Sequence, residues 1–274
     1  MTTESELVFD TNGLLERIDQ ALIAGGADPQ NPALEKIGQI DEIHIRGPFI
    51  TAELIPLLNV QPGSRVLDVG SGIGGPARHI AIETGATVLG VDRKAGAVDV
   101  ARTLTERMGM SGKVSFVYSE IENLDPSHRD FDAAIAIHVG MNIADKSGFY
   151  SAIHDRIRPG ATLIIYDILA SGNGSPITYP SPWAVDESQS FLSTPDQMTN
   201  LLKNAGFSDI VYADDTQASI DFMNGVMKRA QEEGPNPLSL GAVFGPVFRE
   251  MMQSQGANFK TGAIKIGQFS CVRP

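Results

Sequence analysis

The residues whose spacing most directly implies chemistry are Asp68-Val69-Gly70-Ser71-Gly72-Ile73-Gly74-Gly75. Glycines that end a strand and open a helix let backbone N–H groups approach a ligand, because no Cβ blocks the way. Gly70, Gly72 and Gly75 satisfy G-x-G-x-x-G. Asp92, followed by Arg93, stands twenty residues beyond Gly72, where a carboxylate meets ribose hydroxyls. This pattern suits a dinucleotide and an adenosyl ligand equally. Asp68 separates them, since a carboxylate there would repel a pyrophosphate entering the loop but attract an ammonium group. The same residue could also simply bond loop amides at the strand end.

Two histidines are candidates for a general base. His138 follows the apolar run Phe131 to Ile137 and so falls at the carboxyl edge of a strand, where open α/β sheets hold ligands. Its alternative role is packing against the ligand or bonding to backbone. His44 lies in Ile40-Asp41-Glu42-Ile43-His44-Ile45-Arg46-Gly47 and either reaches an acceptor from the N-terminal segment or braces that segment through Asp41. His79 and His154 fall within helical stretches and His128 in a polar turn, which makes them structural or solvated. Tyr179-Pro180-Ser181-Pro182-Trp183 is a rigid aromatic segment, either a pocket wall or a tied-down loop. No His/Cys/Asp/Glu group has metal-ligand spacing, so no metal is expected and a magnesium-dependent mechanism is disfavoured.

These residues need a scaffold, and from Arg65 onward β-rich runs alternate with helical periodicity, as in a doubly wound parallel sheet. Strands are predicted at Val66–Val69, Thr87–Asp92, Val114–Tyr118, Phe131–Ile137 and Ala161–Tyr166. Val100, Leu104 and Met108, and likewise Phe149, Ile153 and Ile157, recur at helical spacing. Residues 171–190 read as a long loop, and Thr194-Pro195-Asp196 starts a helix that should stop at Gly206. Two last strands are expected at Phe207–Tyr212 and Ala263–Val272, separated by an insertion over residues 214–262. The insertion carries Phe222, Met223, Met227, Phe244, Phe248, Met251 and Met252, which either pack on the core, the favoured reading residue by residue, or line an apolar pocket. Residues 1–64 form a helical cap, with Leu14, Ile18 and Leu22 on one face and Ile50, Leu54 and Leu58 on another. Residues 65–274 form the core domain, with 171–190 and 214–262 as substrate-side additions.

Composition narrows the partners. A net charge of −12 argues against nucleic acid and anionic membrane surfaces, and no apolar run reaches the ~18 residues of a bilayer-spanning helix. The acidic start Met1-Thr2-Thr3-Glu4-Ser5-Glu6 lacks the features of a secretory signal, and Cys271 has no second cysteine to pair with, so a cytoplasmic location is expected. Oligomeric state leaves no trace in the sequence.

The run Val66 to Arg78, with its Gly-Gly-Pro-Ala-Arg ending, resembles the first motif of class I S-adenosylmethionine-dependent methyltransferases, in the branch acting on sarcosine and dimethylglycine, sterols and prenylated quinones. Further stretches are similar in the same order. The resemblance implies that Asp68, Gly70, Ser71, Gly72 and Gly74 cradle the cofactor and that Asp92 and Arg93 meet its ribose. Ser119, Glu120 and Ile121 would flank its adenine, with Ile137 and His138 following the fourth strand. Arg158-Pro159-Gly160 resembles the turn before the fifth strand. Glu120 stands where aspartate is commoner, Ala161 replaces a second glycine, and Asn142 stands where many relatives have histidine, which weakens any catalytic histidine carried over to that position. The resemblance implies a Rossmann-like, seven-stranded, mostly parallel sheet with an antiparallel last strand. It also implies methyl transfer from S-adenosyl-L-methionine to N, O or C of a small, partly apolar molecule. The alternatives are a non-methylating reaction on the same cofactor, such as a cyclisation, and a nicotinamide-dependent oxidoreductase.

Overall fold

The computed structural model describes residues 10–274, so the reading of Met1–Glu6 lies outside the described residues. Seven strands form one sheet: β1 (Arg65–Val69), β2 (Thr87–Asp92), β3 (Val114–Tyr118), β4 (Phe131–Ile137), β5 (Ile157–Ala170), β6 (Ser208–Asp214) and β7 (Ile264–Val272). Their order is β3-β2-β1-β4-β5-β7-β6. β7 runs antiparallel to both β5 and β6, and the other pairings are parallel. The order reverses between β1 and β4, and at that switch point the carboxyl ends of strands open a crevice. β1 and β4 are near-continuous apolar runs because helices cover both faces of the sheet.

Helices α4 (Gly75–Thr84), α5 (Ala95–Arg107), α6 (Lys146–Arg156) and α7 (Pro195–Asn204) supply those covers. Thr194 caps α7 as its sequence predicts: Gln197 N–H donates to the Thr194 hydroxyl at 3.3 Å, and the Thr194 N–H donates to the Gln197 side-chain oxygen at 2.8 Å. The N-terminal segment folds as α1 (Leu14–Ala24), α2 (Leu34–Asp41) and α3 (Pro48–Leu54). Leu14, Ile18 and Leu22 bury against Ile37, Ile40 and the α5 residues Val100 and Leu104. The insertion folds as α8 (Thr216–Glu233), α9 (Leu240–Phe244) and α10 (Phe248–Thr261). No helix among the described residues is long and apolar enough to cross a membrane.

Two expectations need correction. Ile157 opens β5 rather than continuing α6, and it pairs with Phe131 across an irregularity in the β4–β5 register. β5 also runs on to Ala170 instead of ending at Tyr166, since β7 pairs with it as far as Ile264. Asp167, the carboxylate within this extension, is buried and accepts hydrogen bonds from the N–H groups of Met141 (3.0 Å) and Ile168 (2.9 Å). Burial pushes its carboxyl up to about 7, against these bonds and the Lys146 ammonium.

Candidate active site

The carboxyl ends of β1, β2, β3 and β4 converge on one cleft of about 2250 Å³. Pockets for drug-sized ligands occupy roughly 300–1,000 Å³, so there is room for two ligands together. Gly70, Gly72, Asp92, Arg93 and Ser119 line it from three strand ends, and Glu120, Ile121, Ile137 and His138 continue the wall. His44 joins them from the turn between α2 and α3. Asp68, Ser71 and Gly74 sit behind this surface.

The loop geometry explains its glycines. Gly70 has φ 72°, and a Cβ there would lie 2.3 Å from the Val139 side chain. At Gly72, with φ 51°, a Cβ would meet no other atom within 4 Å, so this glycine leaves a free approach to the loop backbone. The place of a Gly74 Cβ is taken by Phe116 and Arg78, which makes Gly74 a packing residue. Asp92 turns its carboxylate onto the loop, accepting from Gly72 N–H and Lys94 N–H, both at 2.8 Å. Each oxygen keeps further lone pairs for a ligand hydroxyl. Asp92→Ala therefore removes a ribose acceptor and a loop brace together, and adenosyl-ligand affinity should fall by about 1.5–3 kcal/mol in calorimetry. Unchanged affinity would place the ribose elsewhere.

Acidic groups gather behind and beside the loop. Burial raises the Asp68 carboxyl to about 7, with Asp92 and Glu42 adding to the rise; its Oδ2 has no hydrogen-bond partner among the described residues. Glu42, a cleft residue absent from the candidates above, is buried and accepts from His79 Nδ1 at 2.8 Å, while its second oxygen has no hydrogen bond among the described residues and lies 3.8 Å from His44 Nε2. Burial opposes charge on His79, but the hydrogen bond and the charge of Glu42 prevail and its pKa is raised. The run Ile40 to Gly47 leads to this place, but through Asp41 and His44, which stand on either side of Glu42.

Asp41 does brace the cap, but through Arg78 rather than His44. The Arg78 guanidinium is fully buried, and it donates to Asp41 Oδ2 and the Ile73 carbonyl, both at 2.7 Å. It also donates to Thr105 Oγ1 at 2.9 Å and the Ala101 carbonyl at 3.2 Å. One side chain thus ties the cap, the glycine loop and α5 together. His44 Nε2 instead lies 2.9 Å from the Gly47 carbonyl and 3.1 Å from Thr51 Oγ1.

His138 adopts φ 54°, and its N–H donates to the Tyr166 carbonyl at 2.7 Å. Its imidazole stacks on the Tyr166 ring, with centroids 5.6 Å apart and planes 5° from parallel, and meets the edge of His44 at 6.1 Å. Burial holds its pKa well below the ordinary value, and His44 adds to this. Nε2 has no hydrogen bond among the described residues, so the neutral ring keeps an acceptor position. The Tyr166 hydroxyl donates to Asp215 Oδ2 at 2.6 Å, and Arg46 donates to Asp215 Oδ1 at 2.9 Å.

The aromatic loop is tied to the same region. Trp183 is buried yet lines the cleft, and its indole N–H donates to Ser190 Oγ at 2.9 Å. Asn142 donates to the Trp183 carbonyl at 2.7 Å and the Gln189 carbonyl at 3.3 Å, so it holds the loop in place. Of the seven apolar insertion residues singled out in the sequence, Met251 is buried and Phe244 packs against the cap cluster, where Leu238 of the insertion is also buried. Phe222, Met223, Met227, Phe244, Phe248 and Met252 line the cleft.

Against known proteins, the model of the methyltransferase domain family matches residues 61–206, more than half of the chain. The chain belongs to this family. Sterol 24-C-methyltransferase of Yarrowia lipolytica is 34% identical over 110 residues, covering 40% of this chain and 29% of that protein. The chain spans about a third of the length of the curated relatives it matches first. Among solved structures, the Haemonchus contortus phosphoethanolamine N-methyltransferase 2 in complex with S-adenosyl-L-methionine superposes with a TM-score of 0.72 at 19% identity, over 95% of this chain and 60% of that one. The [4+2]-cyclase SpnF gives a TM-score of 0.65 at 20% identity, over 83% of this chain and 81% of that one. At these identities the structural likeness establishes the fold, which is the seven-stranded one that the motif order implies.

Proposed function

We propose that this methyltransferase-family chain transfers a methyl group from S-adenosyl-L-methionine to N, O or C of a small, partly apolar molecule. The observation that carries this reading is the single cleft in which a glycine loop backed by carboxylates and a wall of aromatic and methionine side chains share one space. Asp68, Asp92, Glu42 and Glu120 make the loop end acidic, which suits a ligand bearing sulfonium and ammonium charges and repels a pyrophosphate. The open approach at Gly72 and the partnerless Asp68 oxygen fit that ligand. When bound, it supplies an electrophilic methyl group. The chain's residues then align the acceptor, exclude water and take up a proton where the acceptor releases one, and alignment itself can supply much of the rate.

The test is calorimetry with S-adenosylhomocysteine and NAD, followed by a search for acceptors that drive S-adenosylhomocysteine release. Tight NAD binding with no response to the sulfur ligand would overturn the reading. Substrate consumption without S-adenosylhomocysteine release would favour cyclisation, a chemistry named for one solved structure of the same fold. Binding should also be coupled to protons. The raised Asp68 carboxyl is partly protonated near pH 7, and a neighbouring ammonium favours its ionised form. Protons are therefore released on binding, and affinity rises with pH through about 7 before levelling off. Calorimetry near pH 6.5 in buffers of differing ionisation enthalpy reads this directly, and zero net proton exchange would exclude Asp68 from the binding step.

A further inference from the structure

Helix α8 has eighteen residues, roughly 27 Å of helix, and only Ser219 among them is fully buried. It is nonetheless anchored at both ends. Asp215, at its N-terminus, is held by Arg46 and Tyr166, and its N–H donates to the Ile266 carbonyl at 2.9 Å. Beyond its C-terminus, Asn236 donates to Gln39 at 3.1 Å, and Leu238 is buried against Gly25 of the cap. Between the anchors lie Phe222, Met223, Val226 and Met227, all on the cleft, with Val226 43% and Met227 52% exposed. Phe49 of α3 pairs with Phe222 at 5.6 Å and is itself 62% exposed. A helix fixed at both ends with an uncovered apolar middle gains its burial from something outside the fold.

That apolar face is continuous with the catalytic cleft, whose volume exceeds the space of one ligand. We propose that α8 is a strap that covers an extended hydrocarbon body of the methyl acceptor, with Phe222, Met223 and Met227 on one side and Phe248 and Met252 of α10 among the other walls. This deepens the methyl-transfer reading and rests on it: the acceptor belongs to the long-chain or polycyclic hydrocarbon class carrying one polar end, in contrast to compact polar amines. Methionine and phenylalanine suit that task because flexible thioethers and flat rings adapt to a hydrocarbon without hydrogen-bond demands.

The test titrates protein loaded with S-adenosylhomocysteine with hexan-1-ol, octan-1-ol and decan-1-ol, following the fluorescence of Trp183, the sole tryptophan and a cleft residue. Affinity should rise about threefold to fourfold for each added methylene, and phosphoethanolamine should bind more weakly than decan-1-ol. In the double variant Phe222→Ser, Met227→Ser this slope should largely vanish while S-adenosylhomocysteine still binds, because Met227 is half exposed and Phe222 is only partly buried, against Phe49. A flat series, tighter binding of phosphoethanolamine, or a slope that survives in the variant would overturn the proposal. So would a dimer that the double variant dissociates, which would assign the face to a second copy of the chain. The series is repeated without cofactor, and S-adenosylhomocysteine binding is measured separately. Failure of the alkanol series thus overturns the strap, whereas failure to bind S-adenosylhomocysteine overturns methyl transfer.

Discussion

Replacing Arg78 with methionine should destabilise the fold by about 3–5 kcal/mol, the range expected when one partner of a buried ion pair is removed and the other charge is left behind. Methionine fills most of the stem's volume, so the loss is chiefly electrostatic. Asp41 loses its 2.7 Å partner, and the carbonyls of Ile73 and Ala101 lose a donor. The sign of the pH dependence follows. Burial already raises the Asp41 carboxyl to about 6 with Arg78 in place, and without the guanidinium it rises further. The folded variant then binds more protons than its unfolded chain, whose carboxyl titrates near about 3.9. Its stability therefore increases as pH falls from 7 towards 4, and the deficit against wild type narrows. Urea unfolding at pH 7 and pH 5 reads both effects. A deficit below about 1 kcal/mol, in the range of exposed pairs, would mean that the guanidinium does not hold the cap and loop together. Asp41→Asn combined with Arg78→Met should recover part of the loss, because no charge is then stranded.

What could be read ahead of the structure is what local physics fixes. β2 and β4 begin and end where their apolar runs do, because strands covered on both faces tolerate few polar residues, and the edge strand β3 follows an alternation of buried and exposed residues. The α7 cap is legible because its chemistry is confined to four consecutive residues. The glycine loop is legible because its turn depends on residues lacking Cβ atoms. Contacts between distant segments left no such signature. Arg46 and Asp215 are separated by 169 positions, and nothing near either predicts their 2.9 Å bond. His44 and His138 were selected separately, yet their proximity follows only from the path of the cap over the ends of the strands. The insertion was ambiguous for a further reason: phenylalanine and methionine at helical spacing look the same whether they face a core or a ligand. Asp167 lies inside β5 although it interrupts an apolar run, because backbone amides satisfy its carboxylate.

The largest kinetic effect is expected at His138, when the acceptor must shed a proton during transfer. Positioned general bases contribute on the order of 10²–10⁴-fold, and His138→Ala should lower turnover within that range while S-adenosylhomocysteine affinity changes little. The structure alters the pH dependence that an ordinary histidine would give. Burial and the nearby His44 hold the imidazole well below its usual value, so the ring is already neutral at the ordinary histidine pKa of about 6.5. The limb due to this base lies at more acid pH, and the rate is on its plateau through neutrality. A weak base suits acceptors whose acidity increases as the new bond forms, as when an attacking amine becomes an ammonium. His138→Gln preserves much of the volume of the ring above Tyr166 but cannot carry the proton. If that variant retains most of the turnover, with the same pH profile as wild type, the imidazole only shapes the pocket, and alignment of acceptor and methyl donor supplies the rate. If both variants lose turnover alike, with the cofactor still bound, proton acceptance by the His138 imidazole is the step removed.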